Sequence, residues 1–281
     1  YQKMRALIIY LVISAVFIGC TPILSIGAST QDVYHFHDTD KNISLLDVSA
    51  IFGSYDGSFV LYDNHLDSWK IYNLEEANKR IPPDSTYKIY DALLGLESGI
   101  ITPEHSSMAW NGEHFSYSAW ENDQDLNSAM QNSVNWYFQT MDSQLGLNKI
   151  QEFLNEIEYG NQTTSSNLKL YWSDFSLKIS PIEQVELLKK FNTNGFHLHS
   201  QNVLSVKNAI KIVGTSDGTF YGKTGTGCID GQDINGWFIG YIETSDNIYY
   251  FATNIQSDSN ATGKKALEIT SAILKKLHIW N

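Results

Sequence analysis

The chain opens on an unbroken apolar run at residues 6–26, ALIIYLVISAVFIGCTPILSI, with Lys3 and Arg5 before it and Asp32 after it. About 20 apolar residues cross a bilayer as a helix. The cations on the N-terminal side put that end in the cytoplasm and the rest of the chain outside the cell. We therefore expect a transmembrane helix over residues 1–27, a polar juxtamembrane linker over 28–46 and an extracellular domain over 47–281. Two other readings stay open. The run is long for a cleaved signal peptide, and Phe17-Ile18-Gly19 is a poor small-residue lead-in to an acylated Cys20.

Past the linker the periodicity changes twice. GSFVLYD (57–63) and WKIYN (69–73) alternate around a short turn and predict a hairpin. Pro82-Pro83-Asp84 then stops the chain before a helix expected over 85–97. Residues 125–213 read as several helices broken by loops. TFYGKTGT, INGWFIGYIE and NIYYFATNIQ return to strand patterning, and an amphipathic helix is expected over 264–277. This order predicts an α+β fold: an antiparallel sheet with flanking helices and a separate helical lobe. A crevice between the two is a usual place for a small-molecule site.

Composition narrows the partners. The net charge of -12 repels phosphate backbones and excludes nucleic acid as a natural ligand. Only Cys20 and Cys228 are present, so no disulfide is expected, and Cys228 reads as a small packing residue. His35 and His37, and His197 and His199, form two His-x-His pairs without a third ligand at metal spacing. They read as surface histidines, and no metal site is expected.

Three short motifs carry chemistry. Ser85 and Lys88 stand at i and i+3, on one face of the expected helix. A lysine desolvated there gives up its proton readily and becomes a base for the serine, while the helix start favours a developing oxyanion. Lys223-Thr224-Gly225-Thr226 ends a predicted strand. It offers a cation and hydroxyls to a carboxylate, with a glycine to let a ligand near the main chain. Ser133-Val134-Asn135 lies between them, in the helical lobe. Each motif alone is weak. The three in this order mark penicillin-binding proteins and serine β-lactamases.

On these motifs the chain resembles the penicillin-recognising serine acyltransferases over residues 50–278. It is most similar to class D β-lactamases and to the sensor domains of the BlaR/MecR sensor-transducers. The residues that carry this finer likeness are Tyr159-Gly160-Asn161, Tyr171-Trp172 with SLKISPIEQV, and the Gly236-Trp237 strand. The resemblance implies that Ser85 is acylated and that Lys88 is the base, in this group often as an N-carboxylated lysine made with bicarbonate. It implies that Ser133 relays a proton and that Lys223, Thr224 and Thr226 hold the substrate carboxylate. The N–H groups of Ser85 and Thr226 would form the oxyanion hole, Trp172 would shield Lys88, and Tyr159, Gly225 and Asn161 would belong to the substrate-binding surroundings. One departure stands out: no arginine follows the Lys223 strand to grip the carboxylate, and Lys264 or Lys265 is the available substitute.

Two functions share these motifs. A sensor keeps its acyl group and signals induction of antibiotic resistance; a class D β-lactamase hydrolyses it. The apolar run, the stretch AMQNSVNWYF (129–138) and the amide at Asn135, where class D enzymes usually carry an apolar residue, favour the sensor. A full sensor-transducer would also carry a zinc protease domain upstream. No His-Glu-x-x-His occurs here, and with Tyr1 at the start we expect a C-terminal piece of such a receptor.

Overall fold

The computed structural model describes residues 32–34, 36 and 42–281. The expected membrane span, Cys20, His35 and His37 lie outside these. Among the described residues no helix is long and apolar enough to cross a membrane.

A seven-stranded sheet organises the described chain, in the order β1-β3-β2-β7-β6-β5-β4. Its strands are β1 (Asn42–Leu45), β2 (Asp56–Asp63), β3 (Ser68–Tyr72), β4 (Lys211–Thr215), β5 (Gly218–Ile229), β6 (Gln232–Glu243) and β7 (Ile248–Gln256). The expected hairpin is β2–β3, and β2 also pairs with β7, so the first and last strand groups share one sheet. The sheet is not wholly antiparallel, as had been expected: β1 runs parallel to β3. β1 also falls inside the stretch expected to be linker. Its pairing with the main chain of β3 needs no apolar pattern, and its own side chains are mostly exposed.

Period-two alternation fills both faces of the central strands. Val60 and Tyr62 of β2, Trp237, Ile239 and Tyr241 of β6, and Tyr250 of β7 point into the larger core, under the helical lobe. Phe59, Leu61, Phe238, Ile242 and Phe251 point the other way, into a smaller core closed by the C-terminal helix Gly263–Lys276. Fully burying one such aliphatic or aromatic side chain contributes about 1.5–3 kcal/mol.

The helical lobe contains α3 (Lys88–Glu97), α4 (Leu126–Gln131), α5 (Asn135–Leu145), α6 (Leu147–Glu156) and α8 (Ser200–Ala209), after two short helices, α1 (Ser49–Phe52) and α2 (Leu74–Ala77). Between α6 and α8, helix α7 (Pro181–Asn192) packs on the sheet, and Gly263–Lys276 is α9. The helix expected from residue 85 begins as a tight 3-10 turn, Asp84–Tyr87, and becomes α-helical at Lys88.

Candidate active site

The turn that carries Ser85 is held on three sides. Asp84 just before it takes a left-handed conformation, φ 49°, uncommon for a residue with a side chain. From β6, the Trp237 indole donates to Pro82 O at 2.8 Å and Asn235 Nδ2 donates to Asp84 Oδ2 at 2.8 Å. From the Trp172 loop, a carbonyl accepts the Asp84 N–H at 2.9 Å. From α7, Gln184 Nε2 donates to Thr86 Oγ1 at 2.9 Å. Helix α7 is itself fixed by a reciprocal Ser180–Glu183 capping box with Pro181 in its first turn, and Arg80 forks onto the Glu183 carboxylate. Burial pushes the Asp84 carboxyl up to about 8, with the Asn235 amide and then Lys88 opposing the shift.

This bracing aims Lys88 back at Ser85. Lys88 is fully buried, and its Nζ lies 2.8 Å from Ser85 Oγ and 2.7 Å from Asn135 Oδ1. The Phe138 and Trp172 rings stand 5.5 and 5.3 Å from the nitrogen. Burial brings the Lys88 ammonium down to about 7, against the attraction of Asp91, Asp84 and Asp142. An amine at this point can donate one N–H to Asn135 and present its lone pair to the Ser85 hydroxyl, the arrangement a general base needs.

Across the cleft, β5 supplies the second lysine. Lys223 Nζ donates to Ser133 Oγ at 3.1 Å and to Thr224 O at 2.9 Å. Ser133 sits in the turn between α4 and α5 with φ 51°, so the strained residue is the one facing the cleft. Burial, with Lys88 adding to it, pushes Lys223 well below the ordinary lysine value. β5 comes close enough that a Cβ at Gly225 would stand 3.3 Å from Ser85 N and 3.1 Å from Pro83 O. One residue pair on, a Cβ at Gly227 would meet Asp84 Oδ2 at 2.7 Å. Small residues at both positions let the strand lie beside the nucleophile turn. Thr226 Oγ1 accepts the N–H of Gly263, where α9 begins.

The structure thus brings Ser85, Lys88, Ser133, Asn135, Trp172 and the Lys223–Thr226 strand together. It places Tyr159 and Asn161 elsewhere. Tyr159 is buried behind the nucleophile, edge-on to Tyr87 and Tyr90 with ring centroids 5.2 Å away in each case. Asn161 ties its loop to the next one, donating to Ser176 O and accepting from Lys178 N. Aromatic bulk and an amide were legible there, but the direction in which they point was not. Lys265 pairs with Glu268 on α9 and Lys264 is exposed. Cys228 is exposed on β5, because its neighbour Ile229 takes the inward position after a register shift at Gly227–Cys228. His199 bonds Glu97. Two residues had drawn no attention in the sequence: Asp91 and Asp142, both buried near Lys88. Their only signal was an acid at an apolar helix position.

Residues 54–275 match the family described as penicillin binding protein transpeptidase domain. The chain belongs to that family. Within it the chain is similar to regulatory protein BlaR1 of Bacillus licheniformis, 43% identical over 98% of this chain and 45% of the relative. The chain spans about half the length of the curated regulatory relatives it matches. Among solved structures it is similar to the C-terminal domain of the Bacillus licheniformis BlaR penicillin-receptor, with TM-score 0.83 and 44% identity, covering 86% of this chain and 99% of that one. It is also similar to class D β-lactamase BAT-2, with TM-score 0.79 and 35% identity over 84% and 97% of the two chains. The penicillin-binding transpeptidase family therefore includes this chain with BlaR/MecR relatives beside it and a class D β-lactamase-like fold.

Proposed function

We propose that this chain is the ligand-binding portion of a membrane-anchored β-lactam sensor, acylated on Ser85 by penicillins and cephalosporins. Neutral Lys88 takes the Ser85 proton as Oγ bonds to the lactam carbonyl carbon. The N–H groups of Ser85 and Thr226 receive the oxyanion. The ring C–N bond then breaks, and Ser133, bonded to Lys223, passes a proton to the departing nitrogen. Lys223, Thr224 and Thr226 hold the ligand carboxylate, which also restores the charge on Lys223. The apolar run at residues 6–26 anchors the chain with this domain outside, and the rest of the receptor would carry the zinc protease domain.

The observation that carries the sensor reading is Asn135 Oδ1 at 2.7 Å from Lys88 Nζ. Deacylation in class D enzymes relies on a carboxylated lysine, which forms when carbon dioxide bonds to a neutral amine and a proton leaves. An amide oxygen beside the nitrogen accepts from the N–H groups of an ammonium and favours the bare lysine. The ester is then left without a base. The second reading, a hydrolysing class D β-lactamase, is favoured by the dry aromatic surroundings of Lys88, which suit a carbamate. A chromogenic cephalosporin separates the two: the sensor gives one equivalent of product per chain and stops, whereas sustained turnover establishes the β-lactamase. Protease added to intact cells should remove the domain if the anchored topology holds.

A further inference from the structure

Behind Lys88 the helical lobe buries two carboxyls that acylation does not use. Asp91 follows Lys88 by three residues on α3, and Asp142 follows Asn135 by seven on α5. These spacings place each acid on the helix face of its active-site neighbour. Because α3 packs on α5, the Lys88–Asn135 contact and the two acids are successive layers of one helix interface. Both acids are 0% exposed. Their carboxyls face each other. Among the described residues no donor in hydrogen-bonding geometry reaches any of the four oxygens. Two carboxyls confined in this way do not both ionise.

We propose that Asp91 and Asp142 share one proton, and that the single negative charge they retain is a positioning element that holds Lys88 as a bare, protonatable amine and disfavours its carbamate. The proposal deepens the sensor reading, on which its link to acyl lifetime rests. The groups that face Lys88 from each side are consistent with this role. Ser85, Asn135 and the Phe138 and Trp172 rings are neutral. Asp84 also acts on Lys88 and is raised by burial, as Asp91 and Asp142 are, but it is bonded by the Asn235 amide and lies on the Ser85 side. Lys223 lies across the cleft with the opposite effect. Burial raises the neighbouring Tyr87 and Tyr171 hydroxyls, and the two acids add to it, so both phenols stay neutral. A carbamate would put a second anion beside the pair. Protonating the carbamate nitrogen breaks the N–C bond, releases carbon dioxide and leaves an amine, with no oxidant or reductant needed.

The sharing makes an unusual demand on mutants. Asp91→Asn or Asp142→Asn alone removes an acid but leaves one carboxylate, so the charge behind Lys88 persists. Only the Asp91→Asn/Asp142→Asn double variant abolishes it. The full chain in detergent would be assayed in two ways: the pH midpoint of labelling by a fluorescent penicillin in carbon-dioxide-free buffer, and the carbamate signal in 13C-bicarbonate by NMR. We expect the singles to stay close to wild type. In the double variant we expect a midpoint lowered by about one to three units and a stronger carbamate signal. Removing a buried charge should leave the fold intact, and Asp91→Asn/Asp142→Ala gives a second uncharged version. An unshifted double variant, or singles that shift as far as the double, would overturn the proposal. Rapid turnover by the wild type would overturn the sensor reading instead, while the midpoints would still decide the role of the pair.

Discussion

Two buried lysines face each other across the cleft, and they differ in their neighbours. Lys88 has three carboxyl groups acting on it, which hold it near 7 against the cost of burial. Lys223 has no such help among the described residues; burial and Lys88 both push it down. Similar depth thus produces two different tools. One lysine is poised to exchange a proton near neutral pH. The other is pushed toward the neutral amine until a ligand carboxylate arrives and restores its charge. Desolvation sets the direction in both cases, and the local acids decide how far it goes.

The comparison predicts unequal losses. Ser85→Ala should lose all labelling by a fluorescent penicillin, which fixes the nucleophile. Lys88→Ala should slow acylation by about 10²–10⁴-fold, the usual worth of a positioned base, even at saturating ligand. Stopped-flow labelling of that variant at the wild-type rate would remove Lys88 from the chemistry. Lys223→Ala should act mainly on the ligand concentration needed, raising it about 10- to 100-fold, the range for a charge-assisted hydrogen bond. If Lys223→Ala instead slows the saturated rate as much as Lys88→Ala does, the division of labour between the two lysines is wrong.

A smaller effect follows from pH. In carbon-dioxide-free buffer the reactive form of Lys88 is the neutral amine, so acylation should rise with pH through about 7. Below that, each unit should cost about tenfold. A flat profile between pH 5.5 and 8 would contradict a titrating Lys88. The smallest effect concerns stability at the Ser85 turn. Asp84 keeps its proton up to about 8 in the fold, whereas an unfolded aspartate loses it near 3.8. The fold therefore binds the extra proton between those values, and its stability from this group falls as pH rises through them. Asp84→Asn should relieve that loss and gain at least about 1 kcal/mol at pH 8 relative to pH 4, read from urea midpoints at the two pH values.

Much of this site was legible in the chain. Ser85, Lys88, Ser133 and Lys223 sit in motifs whose spacing follows directly from the helix and strand they occupy. The apolar, β-branched and aromatic residues of GSFVLYD and INGWFIGYIE located β2 and β6, and they run on because both faces of those strands are buried. β1 and β4 escaped notice for the opposite reason: they are edge strands with exposed side chains, held by main-chain pairing that leaves no period in the sequence. Tyr159 was recognised as a feature but not as core, since an aromatic residue looks the same whether it points into a cleft or behind it. Asp91 and Asp142 lie on different helices, and only the packing of α3 on α5 makes them a pair.

The central claim is that Asn135 keeps Lys88 bare and the acyl group in place. Intact mass spectrometry after a penicillin pulse in bicarbonate buffer tests it most directly, on the wild-type chain and Asn135→Val. The account predicts a wild-type adduct on Ser85 that outlasts a bacterial generation, and clearance about tenfold faster in the variant, the worth of one altered hydrogen bond. A wild-type adduct that disappears within seconds, or equal lifetimes in the two chains, would contradict it.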